Sequence, residues 1–171
     1  MNPGKQFEND VKKSVPAGVY YLRLHDSANG FRDARSDCLR FAVKSPYDMV
    51  LCRKGQMYCL ELKSTSGKAF SFNGSNPMIK KDQIIQLHNA LVIGGAVAGF
   101  LLNFRETDET YWIPVDLFEE FMRVTEKCSM NIREVRDYGL RVPQKKLRVH
   151  NRYDLSVLWK NEERFTVWRG R

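Results

Sequence analysis

Glu61 and Lys63 stand two residues apart in the run 56–64, whose apolar and polar alternation predicts a β-strand. Alternation sets Met57, Cys59, Glu61 and Lys63 on one face, with Tyr58, Leu60, Leu62 and Ser64 on the other. An acid and an amine therefore share one sheet surface. Asp48 precedes Glu61 by thirteen residues, near the start of a predicted strand over 47–52. The turn Arg53-Lys54-Gly55 between them predicts an antiparallel hairpin, which brings both carboxylates to one end of the sheet. Glu8 lies at the edge of the apolar stripe of a predicted N-terminal helix. If that helix packs on this sheet, a third carboxylate joins the other two.

Carboxylates gathered in a half-buried cleft repel one another, and burying their charge uncompensated costs several kcal/mol. A divalent cation resolves the conflict, and a few oxygen ligands with room for water and phosphate suit Mg²⁺ or Mn²⁺. Such an ion polarises a phosphodiester and lowers the pKa of a bound water. Lys63 would orient that water or stabilise developing charge as a point cation. The residues alone leave a second reading open: Glu-x-Lys on a strand is commonly an exposed ion pair of little energetic weight, and Asp48 can simply open a strand after Pro46. Tyr58-Cys59-Leu60 favours the first, because it reads as buried strand, where an unused charge is costly.

The elements that must position these groups follow from caps and periods. Asn2-Pro3 has the chemistry of a helix start, and the helix to about Ser14 turns Phe7 and Val11 to the core. Residues 19–24 alternate as a strand. Residues 26–44 show no period and carry Arg32, Arg35 and Arg40, which predicts a surface excursion. The Ser-, Gly- and Asn-rich stretch 67–77 reads as a loop, followed by a helix over about 79–91 with Gln83, Leu87, Ala90 and Leu91 on one face. Gly94-Gly95 ends that helix and lacks the pattern of a phosphate-cradling loop. A buried central strand is predicted over 96–104 and another over 110–115. Asp116 is expected to cap a short helix through Val124, and residues 131–138 form another, ending at Gly139. The order predicts an α/β domain, a central mixed β-sheet flanked by helices.

Three stretches together resemble the PD-(D/E)XK nuclease superfamily and, within it, the RecU-type Holliday junction resolvases of Gram-positive bacteria and their phages. They are residues 2–10, Asn-Pro-Gly-Lys-Gln-Phe-Glu-Asn-Asp; Tyr47-Asp48 with Glu61-Leu62-Lys63-Ser64-Thr65; and Lys81-Asp82-Gln83-Ile84. Residues 1–142 look covered. The resemblance implies a restriction-endonuclease-like fold and an Mg²⁺-dependent homodimeric endonuclease that nicks opposed strands of a four-way DNA junction in recombination and repair. It implies Asp48, Glu61 and Leu62 as metal-ligand positions, Lys63 as the catalytic lysine, Glu8 as the helix carboxylate and Gln83 as the helix glutamine near the active centre. This chain departs from the family in reading Ser45-Pro46-Tyr47-Asp48-Met49 where a Thr-Asp-Tyr run is common. Its 26–44 interval is also shorter than the family's protruding stalk.

Composition agrees with a DNA partner. The chain of 171 residues holds 28 Lys+Arg against 20 Asp+Glu, a net charge of +8. Residues 133–171 carry 11 basic against 5 acidic side chains, whereas 103–127 carry 3 against 7. Expected phosphate-binding residues are Lys5, Arg32, Arg35, Arg40, Lys80, Lys81, Lys145, Lys146, Arg148 and Arg152. With 43% hydrophobic residues the chain has enough apolar surface for a core, which excludes whole-chain disorder. No run is long enough to span a membrane and residues 1–13 are too polar for a signal peptide, so a cytoplasmic location is expected. Cys38, Cys52, Cys59 and Cys128 lack zinc-site spacing. His88 reads as a helix-surface residue. Trp112, Trp159 and Trp168 read as core or interface, although Tyr153 and Trp159 stand among basic residues in a manner that would also suit base stacking. The expectation is a single nuclease domain over 1–171, with 26–44 as the excursion and 129–171 as a basic C-terminal extension. Two rivals remain: a same-fold nuclease on linear duplex DNA, and a non-catalytic DNA-binding recombination accessory protein.

Overall fold

The computed structural model describes residues 2–24 and 45–160; Arg32, Arg35, Arg40, Cys38 and Trp168 lie outside the described residues. Asn2 caps the first helix, α1 (Pro3–Ser14), its side-chain oxygen accepting the Gly4 N–H at 2.9 Å with Pro3 at the first position. Next come β1 (Tyr20–Arg23), β2 (Met49–Arg53), β3 (Gln56–Thr65) and β4 (Ala69–Ser71). Then follow α2 (Lys81–Val92), β5 (Val97–Phe104), β6 (Glu109–Pro114) and α3 (Val115–Thr125). The chain continues through β7 (Ser129–Asn131), α4 (Ile132–Tyr138), β8 (Leu140–Val142), β9 (Gln144–Lys146), β10 (Asn151–Tyr153) and α5 (Val157–Lys160).

The hairpin between β2 and β3 turns on two residues, not three. Lys54 (φ 49°) and Gly55 (φ 82°) both occupy the left-handed region that a tight two-residue hairpin demands, and Arg53 pairs with Gln56. Six strands form one mixed sheet in the order β1-β2-β3-β5-β6-β8, with β3 and β5 its one parallel pair among the described residues. Parallel neighbours need a crossover, and α2 lies on it. On one face, Cys59, Phe100, Leu102 and Ile113 pack with Ile84 and Leu87 of α2, Phe118 and Phe121 of α3 and Val135 of α4. On the other, Leu51, Tyr58, Leu60, Leu62, Leu101 and Trp112 pack with Phe7 and Val11 of α1 and with Tyr153, Leu155 and Leu158. Period-2 alternation along β3 and β5 feeds both clusters at once.

Several expectations shift. Asp116 does not cap α3; Pro114 precedes the helix and Asp116 sits in its first turn, because β6 runs directly into the helix without a loop. The predicted 67–77 loop contains β4, which pairs with β7. Residues 129–160 contribute to both sheets and core: β8 edges the main sheet, β9 and β10 form a separate hairpin, and Leu155 and Leu158 enter the core. Strands of three residues are too short to show a period, so these elements leave no pattern in the sequence. Among the described residues no helix is long and apolar enough to cross a membrane.

Gly99 is required by close approach. A Cβ there would stand 2.2 Å from the Ile113 carbonyl oxygen and 2.8 Å from the Pro114 Cα, both backbone atoms of the paired strand. Gly99→Ala is expected to lower unfolding free energy by about 1–3 kcal/mol, the usual cost of overpacking a core, measured by urea denaturation.

Candidate functional site

Asp48 sits one residue before the regular β2–β3 ladder, in which Met49 faces Leu60. Its backbone is held on both sides: the N–H donates to the Leu60 carbonyl at 3.2 Å, and the carbonyl accepts the Leu24 N–H at 3.0 Å. Beyond this point β2 offers β3 no further partner, and the Asp48 side chain takes over, Oδ2 accepting the Leu62 N–H at 2.8 Å. The carboxylate thus lies against the peptide that joins Glu61 to Leu62. Tyr47, just before it, packs on the α2 side of the sheet and donates its hydroxyl to Cys59 Sγ.

Glu61 is 3% exposed and lies with Cys59 on one face of β3 as the alternation predicts, the face that α2 covers. Two donors share its Oε1: Lys63 Nζ at 3.0 Å and Gln83 Nε2. The Gln83 amide is itself aimed. At the third position of α2, its Oε1 accepts the Lys80 N–H at 3.0 Å, so the opposite end of the same amide presents N–H groups to Glu61. A helix-start bond thereby orients a group in the site. Charge-assisted bonds of this kind make a buried carboxylate tolerable.

The third carboxylate does not join. α1 packs on the sheet as expected, but on the face bearing Leu60 and Leu62, whereas Glu61 is turned toward α2. Glu8 bonds instead to Arg23 of β1. Among the described residues no group of three His, Cys, Asp or Glu side chains is placed to hold a metal ion. The donor set that the site does offer is the carboxylates of Asp48 and Glu61, with the Leu62 backbone oxygen. Because a strand residue directs its N–H and C=O to the same edge, that oxygen lies on the edge where Asp48 meets the Leu62 N–H. Oxygen donors few in number fit a hard cation that keeps several waters, as Mg²⁺ does, and are a poor match for zinc.

Lys5, Lys80 and Lys81 are exposed at the starts of α1 and α2, and Lys145, Lys146, Arg148 and Arg152 are exposed along the β9–β10 hairpin. His88 pairs with Glu119 of α3 across the helix surface at 2.9 Å. Trp112 is fully buried. Tyr153, 5% exposed, stacks edge-on against Phe7, and Trp159 packs on Tyr58 beneath the Arg53 guanidinium, so both aromatic rings serve the core in place of base stacking. Arg23 and the buried Asn103 were not singled out by sequence. A lone amide inside the apolar run 96–104 was the available signal for Asn103.

Similarity to known proteins agrees with the geometry. A family model described as RecU, Recombination protein U, matches residues 33–153, a span that includes Asp48, Glu61, Lys63 and Gln83 but begins after α1 and Glu8. The match therefore extends past residue 142 to the end of β10. The chain is 30% identical over 171 residues to the SPbeta prophage-derived uncharacterized protein YotM of Bacillus subtilis (strain 168), covering 92% of this chain and 85% of that protein. In fold it is similar to Hjc of Archaeoglobus fulgidus, a Holliday junction resolvase, with a TM-score of 0.51 and 18% identity over 80% of this chain and 93% of that one.

Burial pushes the Tyr47 phenol up to about 12, and its bond to Cys59 acts in the same direction. A raised phenol pKa stabilises the fold fully below the unfolded value near 10, and that contribution is lost as pH rises through the folded value. Stability is therefore expected to fall between pH 10 and about 12. Alkaline titration of phenolate absorbance in the wild type against Tyr47→Phe should show one late-titrating tyrosine lost.

Proposed function

The chain belongs to the RecU family of Holliday junction resolvases, and from that premise we propose that it is a divalent-metal-dependent endonuclease acting as a homodimer on four-way DNA junctions. The observation that carries this reading is the bond from the Leu62 N–H to Asp48 Oδ2, 2.8 Å, which sets a second carboxylate beside the pair of buried Glu61 and half-buried Lys63. Alternatives in which Asp48 merely opens a strand give no reason to bury Glu61. Asp48, Glu61 and the Leu62 carbonyl would hold Mg²⁺ or Mn²⁺. The bound ion would supply charge neutralisation at the phosphodiester and a water of lowered pKa.

The chain's own groups account for the rest. Lys63, bonded to the Glu61 carboxylate, would orient the attacking water and meet negative charge growing on the phosphoryl oxygens. Gln83 holds Glu61 in one orientation. Exposed lysines at the starts of α1 and α2 hold phosphates, and such bonds position a duplex without reading its sequence. A four-way junction has two-fold symmetry, and a homodimer presents two equal sites to its opposed strands.

Incubation of end-labelled junction with and without Mg²⁺, resolved on a denaturing gel, tests this directly. Paired nicks in opposed arms are expected only with the metal. Lys63→Ala should slow cutting by roughly 10²–10³-fold, as loss of a charge-stabilising donor commonly does, while junction binding in EDTA stays near wild type. Equal nicking by mutant and wild type would refute the assigned site. A linear duplex at matched salt separates the rivals: comparable cutting there assigns a linear-duplex nuclease, and tight binding indifferent to Mg²⁺ with no product assigns an accessory protein.

A further inference from the structure

Among the described residues β9 and β10 pair only with each other, so no backbone ladder there ties this hairpin to the six-stranded sheet. Side chains do so from two directions. From α1, the buried Asp10 accepts the Asn151 N–H at 2.9 Å and bonds His150 Nδ1 at 2.9 Å, Ser14 Oγ accepts the Tyr153 N–H at 3.0 Å, and Gln6 donates to the Val149 carbonyl at 3.1 Å. From the sheet comes a relay that runs in a single direction. Arg105 approaches Ser64 Oγ at 3.5 Å, Ser64 donates to Asn103 Oδ1 at 2.8 Å, and Asn103 donates to Thr110 Oγ1 at 2.9 Å. Thr110 then donates to Gln144 Oε1 at 2.6 Å, and Gln144 donates to Asp108 Oδ1 at 2.8 Å.

The relay starts on a guanidinium and ends on a carboxylate, and every hydroxyl and amide between them both accepts and donates. Bonds aligned in this way polarise one another in the same sense. Asn103 is 5% exposed and Thr110 is fully buried, where apolar residues of similar shape would avoid the cost of desolvating a polar group. Position is what the relay secures. Ser64 directly follows Lys63 in β3, and Gln144 directly precedes Lys145 and Lys146 in the hairpin. The exposed face beyond it carries Lys145, Lys146, Arg148 and Arg152. Lys146 and Arg105 also line one cleft, of about 190 Å³, with Asn103, Gln6 and Asn151. Of the acids beside it, Asp108 is engaged by Gln144 and Asp10 by the hairpin's own backbone.

We infer that the β9–β10 hairpin is an arm for the sugar–phosphate backbone of duplex DNA flanking the cut, and that the Ser64–Asn103–Thr110–Gln144 relay sets its distance from Lys63. The inference rests on the nuclease reading for the identity of the partner. Its consequence goes further: the relay determines which phosphodiester reaches Lys63.

Two measurements test it. Junction binding in EDTA across a KCl series should show that the triple variant Lys145→Gln/Lys146→Gln/Arg148→Gln reduces the slope of log K against log[KCl] by about 0.9 for each phosphate no longer neutralised. Lys54→Gln, in the β2–β3 turn at the other end of β3, should keep the wild-type slope. An unchanged slope in the triple variant overturns the arm. Cutting is then mapped at nucleotide resolution in Mg²⁺. Thr110→Val should scatter the nicks over neighbouring phosphodiesters, Thr110→Ser should restore the wild-type position, and Gln144→Leu, which breaks the relay outside the core, should scatter them as Thr110→Val does. General destabilisation changes the amount of product and leaves its position alone, so a single unshifted cut in both relay-breaking variants overturns the spacer role. If the wild type cuts nothing, the nuclease reading fails, while the EDTA slopes still decide whether the hairpin holds DNA.

Discussion

A carboxylate buried to 3% exposure on the central strand of a sheet is the constraint around which this molecule is arranged. An uncompensated charge at that depth would cost more than most single interactions return. The fold surrounds Glu61 with groups from three separate places: Lys63 two residues along the same strand, Gln83 from the start of α2, and the Asp48 segment from the end of β2. None of these groups is set by its interaction with Glu61 alone. Lys63 is placed by alternation, Gln83 by its bond to the Lys80 N–H, and Asp48 by the backbone bonds on either side of it.

The two faces of β3 carry two different kinds of polar inclusion near the same end. On the α2 face lies the charged pair of Glu61 and Lys63. On the other, Ser64 begins a neutral relay that leads through β5 and β6 to Gln144. Period-2 alternation makes the division possible, because adjacent residues of one strand can serve separate layers without touching. The parallel pairing of β3 with β5 sets Ser64 opposite Asn103, so the same register that forms the core also aligns the relay.

Much of the site was legible because it lies on one regular element. Alternation alone placed Glu61 and Lys63 together, and a recognisable turn at Lys54-Gly55 brought Asp48 to the same end. The expectation for Glu8 was less successful for a related reason. A helix period shows which stripe is apolar, but not which face of the sheet that stripe will cover. α1 took the face of Leu60 and Leu62, leaving Glu8 with Arg23. The hairpin of β9 and β10 left no signal because it has three residues per strand, and its anchors at Asp10 and Thr110 are more than thirty residues distant in the chain.

From the chain of residues by itself came the α/β order, the β2–β3 hairpin, the chemistry of an acid and an amine on one surface, and the basic bias of the C-terminal part. These depend on periods, caps and turns, which act over a few residues and are written locally. Tertiary structure alone decided that Gln83 bonds the Glu61 carboxylate, that Glu8 pairs with the Arg23 guanidinium, and that a buried run of hydroxyls and amides connects the hairpin to β3. Each of those depends on which face of a sheet a distant element covers, a choice made by the packing of two apolar clusters against each other and not by any pattern within a single segment.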